Sequence, residues 1–560
     1  MPGENSDANH GSYRITADVV VVGAGLSGLV AAATAYAAGR TVAVLDQEPG
    51  ASVGGQAHWS FGGLFMVNTP EQRRLGVKDS VDLALSDWMA SAAFDRPDDR
   101  AALEWAEAYV DFAAGEKRAW LKSLGVGVFP LVQWAERGGY GPQGHGNTVP
   151  RFHVTWGTGP ALVKPFLAKV LEGVGAGRVS LHFRHRAQSL TTTAGRIAGV
   201  SGEVLEPSTA VRGQASARVA VGGFEATAGA VVVTTGGIGG NHSSVRRQWP
   251  GSNAPDHMLS GVPASVDGEF LPVVESAGAA LVNDDRMWHY PEGIHNYDPV
   301  WPNHGIRILP GPSSLWLDAE GRQLPAPLFP GFDSLGALRH IAGTGHGYSW
   351  FVLNRTIALK ELALSGSEQN PDLTDKDVRL LASRLRPGSD TPIQRFLDRG
   401  PDFLQASSPS ELASRMNQLA GNSLIDAAAL DSLVRARDRQ VASGLGKDPQ
   451  LAAIRAARRF ATDKLMRVAP PHRLTDPAHG PLIAIRLSVL TRKSLGGLKT
   501  DLRSRVLDNE GTAIPGLYGA GEAAGFGGGG IHGYRALEGT FLGGCLFTGR
   551  AAGRDAAATV

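Results

Sequence analysis

Three glycines and one acid carry the first chemistry in this chain. Gly23, Gly25 and Gly28 follow the all-apolar run Val19–Val22, and Asp46 closes a second apolar run, Val42–Leu45. In such an arrangement the first glycine makes a tight turn. The second lets the backbone approach a pyrophosphate, and the third lets the following helix pack against the strand. The helix N-terminus then faces the phosphates with free N–H groups. An acid in the position of Asp46 accepts hydrogen bonds from a ribose. Ala24 and Ser27, inside the turn, and Gln47, after the acid, are candidate contacts to the same dinucleotide.

A second group lies near the other end. Gly530-Ile531-His532-Gly533-Tyr534-Arg535-Ala536-Leu537-Glu538-Gly539 follows Gly525–Gly530, a stretch with five glycines, so the backbone there can lie flat against a ring. Tyr534 and Arg535 place a phenol beside a planar guanidinium. A phenol can polarise a ketone and acidify the adjacent C–H. A guanidinium can grip a carboxylate with two parallel hydrogen bonds. The stretch Trp288, His289, Tyr290, His295, Tyr297, Trp301, His304 is dense in aromatics and histidine. Its spacing matches no zinc or iron pattern, so it reads as an apolar lid and no metal is expected. Cys545 is the only cysteine and sits among apolar residues, as a small buried filler would.

These residues need elements to hold them. Val19–Val22 has the continuous apolar character of a buried parallel strand, and Leu26 to Gly39 is helical in composition. Residues 78–125 show helical periodicity, with Trp88, Trp105, Tyr109, Phe112 and Trp120 as core anchors. Residues 179–235 alternate as antiparallel strands and end in a buried strand, Ala230–Thr234. Tyr348–Leu353 is strand-like, residues 355–465 are charged and helical, and apolar character returns at 482. The two ends resemble each other and the middle differs. At 560 residues the chain exceeds one ordinary core. The expected fold is therefore α/β: a Rossmann-like cofactor domain built from residues 14–270 and 479–560, interrupted by a smaller α+β cap domain over 271–478. No internal repeat is present.

Lys+Arg 54 against Asp+Glu 53 gives a net charge of +1 without a basic tail, which argues against nucleic acid as a partner. No apolar segment reaches transmembrane length. The polar residues Met1 to Tyr13 read as a disordered lead-in rather than a signal peptide. With one cysteine, a cytoplasmic setting is expected.

Three further segments carry a family resemblance. Gly54-Gly55-Gln56-Ala57-His58-Trp59-Ser60-Phe61-Gly62-Gly63 resembles a paired-glycine loop that wraps FAD. Val232-Val233-Thr234-Thr235-Gly236-Gly237-Ile238 resembles the ATGG strand end, and Ile514 to Glu522 resembles the IPGLYAAGE segment near the isoalloxazine ring. Over roughly 16–290 and 480–555 the chain resembles the fumarate reductase/succinate dehydrogenase flavoprotein superfamily, on the soluble branch that includes the 3-ketosteroid dehydrogenases. The resemblance implies that FAD is the cofactor. Gly54, Gly55, Gln56, Gly62, Gly63, Thr235, Gly236, Gly237, Gly521, Glu522 and Leu537 join the candidate contacts, with Glu522 on the ribityl chain. Membrane-bound succinate dehydrogenases bond a histidine of this loop to the flavin; Gln56 stands there, so FAD is expected to be noncovalent.

The resemblance also frames the catalytic choice. Arg535 matches an arginine that binds substrate carboxylate in soluble fumarate reductases, and Tyr534 matches a ketone-polarising tyrosine of ketosteroid dehydrogenases. Lys493, in Lys493-Ser494-Leu495-Gly496-Gly497, replaces a carboxylate-gripping histidine of the fumarate reductases. Arg339 lies near the place of their proton-donating arginine. The expectation is an FAD-dependent dehydrogenase acting on a CH–CH bond beside the carbonyl of a hydrophobic, ketosteroid-like substrate, passing electrons to an unidentified acceptor. The alternatives are a reductase of an unsaturated carboxylic acid, with Arg535 and Arg339 as its anion clamp, and a flavin-carrying partner without turnover.

Overall fold

A computed structural model describes residues 13–97, 99–139, 146–383, 391–535 and 537–560. The lead-in, save Tyr13, lies outside the described residues, as does Ala536. Tyr13 opens the first strand, Tyr13–Val22.

Two eight-stranded sheets organise the molecule. In the first, Tyr13–Val22 pairs in parallel with Val42–Asp46 on one side and Ala220–Val233 on the other. Ala513–Gly519 joins beyond Ala220–Val233 in parallel, and Val179–Phe183 joins beyond Val42–Asp46. The two ends of the chain thus meet in one sheet. Val19, Val20 and Val21 are fully buried, as a strand with packed faces on both sides requires. Strands 185–193 and 196–205 add an antiparallel meander against Ala220–Val233. The helix Leu26–Ala37 packs on the C-terminal helix Thr540–Thr559.

The second sheet runs in the order 315–318, 348–354, 482–494, 287–295, 305–309, 363–364. Its core holds Trp316, Trp350 and Phe351 with Ile483, Ile485 and Leu487. The strand Leu482–Ser494 is the spine, paired with Tyr348–Asn354, Met287–His295, Phe403–Ala406 and Leu259–Ser260. The segment expected to return to the cofactor domain at 479 therefore first crosses the second sheet, and Leu259–Ser260, expected in the cofactor domain, pairs there too. An apolar run specifies burial but not which sheet buries it. Among its described residues the 355–465 region is helical as read, except for the strands Ala363–Leu364 and Phe403–Ala406. A small antiparallel sheet of Gly63–Phe65, Val128–Gln133 and Phe152–Thr155 lies beside the first sheet's helices. Trp88, Trp105, Tyr109 and Phe112 are buried on the helices Val81–Ala92 and Asp99–Ala114, as expected; Trp120 is half-buried. Among the described residues no helix is long and apolar enough to cross a membrane.

Candidate active site

One cavity, open to solvent, draws its walls from both sheets. Of the sequence-predicted cofactor residues, Gly23, Gly25, Ser27, Asp46, Gln47, Gly55, Gln56, Gly63, Thr235, Gly236 and Glu522 line it. Ala24, Gly28, Gly54, Gly62, Gly237, Gly521 and Leu537 stand behind this lining. Several of them shape it. A Cβ on Gly28 would collide with the Gly23 carbonyl, whereas one on Gly25 would meet nothing within 4 Å. Gly28 thus serves the packing of helix on strand, and Gly25 opens the wall to a ligand. Gly54 N donates to the Ala24 carbonyl at 2.9 Å, bringing the two glycine loops together. Leu537 is buried in an aromatic core.

Asp46 accepts hydrogen bonds from Ala24 N at 2.7 Å and Glu48 N at 2.8 Å. Burial pushes its carboxyl up to about 6. Gln56 Nε2 donates to Glu522 at 2.5 Å, and Ser494 N donates to the other oxygen at 2.8 Å. Burial raises the Glu522 pKa above the ordinary glutamate value. Gln47 donates to Asp267 at 3.3 Å. Arg212 reaches back to the Val53 carbonyl, immediately before Gly54, and lines the cavity. Its cation is suited to a pyrophosphate. The buried hydroxyl of Thr235 has no partner among the described residues. An open glycine turn, a strand-end acid, a guanidinium and an unsatisfied hydroxyl on one wall fit FAD. Cys545 also lines the cavity, its thiol pushed up to about 12 by burial.

The far end of the cavity is built by the second sheet and the C-terminal loop. Tyr290, Arg307, Lys493, Glu538 and Phe541 meet there. Tyr290 is 1% exposed, on the strand Met287–His295. Its hydroxyl is 3.2 Å from Lys493 Nζ, and the Arg307 guanidinium lies 3.7 Å from the centre of its ring. Arg307 is ion-paired to Glu538 and lies 3.6 Å from Glu292. Lys493 Nζ also sits 4.1 Å from the centre of the Phe541 ring. Burial, with Arg492 and Arg307 nearby, drives Lys493 well below the ordinary lysine value. Burial also raises the Tyr290 phenol, keeping it protonated. Glu292 is pushed by burial up to about 7.

The three catalytic candidates from the sequence are brought together, but none of them lines this cavity. Tyr534 is half-buried, and its hydroxyl donates to Asp95 at 3.1 Å. Its ring lies under Arg286, 4.0 Å away, and Arg339, 5.6 Å away. Arg535 is ion-paired to Asp333, whose side chain caps the helix Ser334–Gly343 that carries Arg339. Arg339 itself is exposed. The cause is local: Gly533 turns with a φ of 55°, and Tyr534 N is held by the Ala92 carbonyl at 2.8 Å. This aims the phenol at the acids following Ala92. The expected aromatic lid is a strand in which Tyr290 faces the cavity while Trp288 packs into a core. Spacing along the strand flagged the stretch but could not tell Tyr290 from its neighbours. Arg307 and Arg212 carried no motif at all, and Glu538 stood in the segment 530–539 without a role assigned to it. Among the described residues no cluster of three or more His, Cys, Asp or Glu is placed to hold a metal ion.

The fold and the cavity define a flavoprotein of the dinucleotide-binding kind. The FAD binding domain family matches residues 18–542, and the chain belongs to it. A KsdD-like steroid dehydrogenase of Mycolicibacterium smegmatis is 61% identical over 97% of this chain and 99% of its own length. Another from Mycobacterium tuberculosis is 59% identical over 99% of this chain and 98% of its own length. The crystal structure of a 3-ketosteroid-Δ4-(5α)-dehydrogenase from Rhodococcus jostii, in complex with 4-androstene-3,17-dione, is 21% identical. It superposes with a TM-score of 0.62 over 99% of both chains. The protein is thus an FAD-dependent oxidoreductase of the dehydrogenase type that acts on CH–CH bonds.

Proposed function

We propose that the protein dehydrogenates a hydrophobic, steroid-like ketone at the C–C bond beside its carbonyl, with Tyr290 and Lys493 handling the proton. The observation that carries this reading is the 3.2 Å contact between a buried phenol and a half-buried amine at the far end of the cavity. The steroid dehydrogenase relatives support the choice of substrate. FAD, when bound, supplies the acceptor for the hydride. The chain's own part is proton transfer. The substrate C–H proton passes to Tyr290 Oη as the phenol's proton passes to Lys493 Nζ, which becomes an ammonium. An uncharged amine accepts a proton where an ordinary lysine cannot, and burial keeps Lys493 uncharged. Arg307, fixed by Glu538 and Glu292, holds the Tyr290 ring in place from its face. Aromatic walls from Phe61, Phe152 and Phe526 keep water from the reacting carbons.

Gln56 supports noncovalent attachment of FAD, because its amide is committed to Glu522 and cannot form a histidyl-type bond. The two sheets support a cofactor domain and a cap that meet at the cavity. The cytoplasm is the setting we propose, with electrons passing to an unidentified acceptor. Anaerobic mixing of the purified enzyme with 4-androstene-3,17-dione and with succinate tests the function. Bleaching of the flavin by the ketosteroid alone is the expected result; bleaching by succinate alone would overturn the reading.

A further inference from the structure

Outside the cavity, one run of the chain breaks the even charge of the molecule. The sequence as a whole carries a net charge of +1, yet residues 447–467 hold six basic side chains against two acids. The basic ones are Lys447, Arg455, Arg458, Arg459, Lys464 and Arg467. Both acids are engaged elsewhere. Asp448 caps the helix Pro449–Ala457 by accepting from Leu451 N at 2.9 Å. Asp463 is buried and paired with Arg137 at 2.6 Å. Lys447, Arg459 and Lys464 are exposed, and Arg455 and Arg458 are half-buried. Among the described residues none of these five cations forms an ion pair.

The same segments leave leucines bare. Leu445 is 89% exposed, Leu465 72% and Leu359 40%. Leu445 stands between Gly444 and Gly446, both at positive φ, in the turn that joins the helices Ala427–Ser443 and Pro449–Ala457. This turn lies against Arg455: a Cβ on Gly446 would stand 2.5 Å from the arginine's Nη1. Leu465 sits on the helical turn Asp463–Arg467, and Leu359 on the helix Arg355–Glu361, whose Lys360 donates to the Leu465 carbonyl. Arg458 donates to the Val468 carbonyl, and Val468 packs on Leu451 and Ile454. These contacts join the three segments into one face of the cap. The face backs onto the cavity wall. Arg467 donates to the Leu309 carbonyl at 2.8 Å, and the Phe460 ring lies 5.5 Å from Trp134. Leu309 and Ala135, the residue after Trp134, both line the cavity.

Exposed leucines among unpaired cations are complementary to a layer that is anionic outside and apolar beneath. A folded partner would require a continuous face of about 800 Å², whereas Leu445 and Leu465 project singly from turns. We propose that this face of the cap docks on an anionic lipid bilayer. Leu445, Leu465 and Leu359 enter the headgroup layer, and Lys447, Arg459 and Lys464 meet the lipid phosphates. Docking is peripheral and reversible, since three leucines bury little apolar area and the charges are screened by salt. The proposal stands apart from the ketone reading, because none of its residues lines the cavity.

The test is co-sedimentation of the holoenzyme with vesicles of phosphatidylglycerol and, separately, of phosphatidylcholine. The wild type should bind the anionic vesicles at least roughly tenfold more strongly, with the preference fading at high salt. Arg459→Gln with Lys464→Gln should weaken binding to phosphatidylglycerol roughly 10- to 30-fold, the effect of two interfacial charges. Leu445→Glu with Leu465→Glu should weaken it at least as much. Leu171→Glu, at a 50% exposed leucine on the helix Thr158–Gly175, should leave it unchanged. Flavin content, Tm and bleaching by dissolved 4-androstene-3,17-dione should match the wild type in every variant. Equal binding to both vesicles overturns the proposal, as does anionic binding that survives the leucine pair or falls equally in Leu171→Glu. Self-association in lipid-free buffer that the leucine pair abolishes would give the face to a second copy and overturn it too.

Discussion

Tyr290→Phe removes one oxygen from the far end of the cavity and should separate this account from the expectation based on motifs. The phenol is buried, and among the described residues its hydrogen-bond partner is Lys493 Nζ at 3.2 Å. Without it, no group stands between the substrate C–H and the amine. Loss of a positioned proton-transfer group costs roughly 10²–10⁴-fold in rate, or about 3–5 kcal/mol of barrier at 1.36 kcal/mol per decade. Binding should change little, because the ring and its contact with Arg307 remain. Leaving the half-buried amine short of a partner should cost about 1–3 kcal/mol of stability, so flavin content and Tm belong in the same experiment. The assay is stopped-flow bleaching of the flavin by a ketosteroid under anaerobic conditions. Tyr534→Phe is the control. Its bond to Asp95 lies outside the cavity, loss of such a bond costs about 0.5–1.5 kcal/mol of stability, and its bleaching rate should stay near that of the wild type. A Tyr290→Phe enzyme with wild-type bleaching beside a Tyr534→Phe enzyme slowed a hundredfold would refute the reasoning.

Acid precipitation should release all the flavin into the supernatant as FAD, because Gln56 cannot form a histidyl bond; flavin retained in the pellet would contradict this. Bleaching should slow as pH falls, because Lys493 must be uncharged to accept a proton, and its transition should lie well below the ordinary lysine range. A rate that falls only above that range would oppose the role. Lys117 is fully buried, donates to the Phe65 carbonyl and Tyr109 hydroxyl at 2.9 Å each, and is lowered by burial to about 7. The unfolded chain holds its proton up to about 10.4, so between these values unfolding takes up a proton and stability rises with pH by up to roughly 1.4 kcal/mol per unit. The Tm of the wild type minus that of Lys117→Met should therefore increase from pH 7 to pH 10, and a constant difference would argue against a buried neutral lysine.

The glycine-loop wall of the cavity was legible because its geometry is local. Gly23, Gly25 and Asp46 line the cavity through backbone shape and a strand end, and these follow from spacing along a few residues. The catalytic half depends on contacts far apart in sequence: Tyr290 meets Lys493, and Arg307 meets Glu538. Each of these residues is unremarkable in its own segment. Lys493 was noticed only as a departure from a family pattern, and its burial shows why it is no surface charge. Tyr534 and Arg535 matched motifs, yet a glycine turn and the acids Asp95 and Asp333 direct both side chains away from the cavity. The strand Leu482–Ser494 was recognised as apolar, but which sheet it joins is decided by partners that local periodicity does not reveal.

The most direct test of the central claim is a crystal structure of the enzyme with FAD and a ketosteroid bound. The account predicts the steroid in the cavity between the two sheets, its reacting carbon within about 3.5 Å of Tyr290 Oη, as near-attack geometry requires, and Tyr534 outside the contact shell. A steroid seated against Tyr534 and Arg535, with Tyr290 and Lys493 remote from it, would contradict the account.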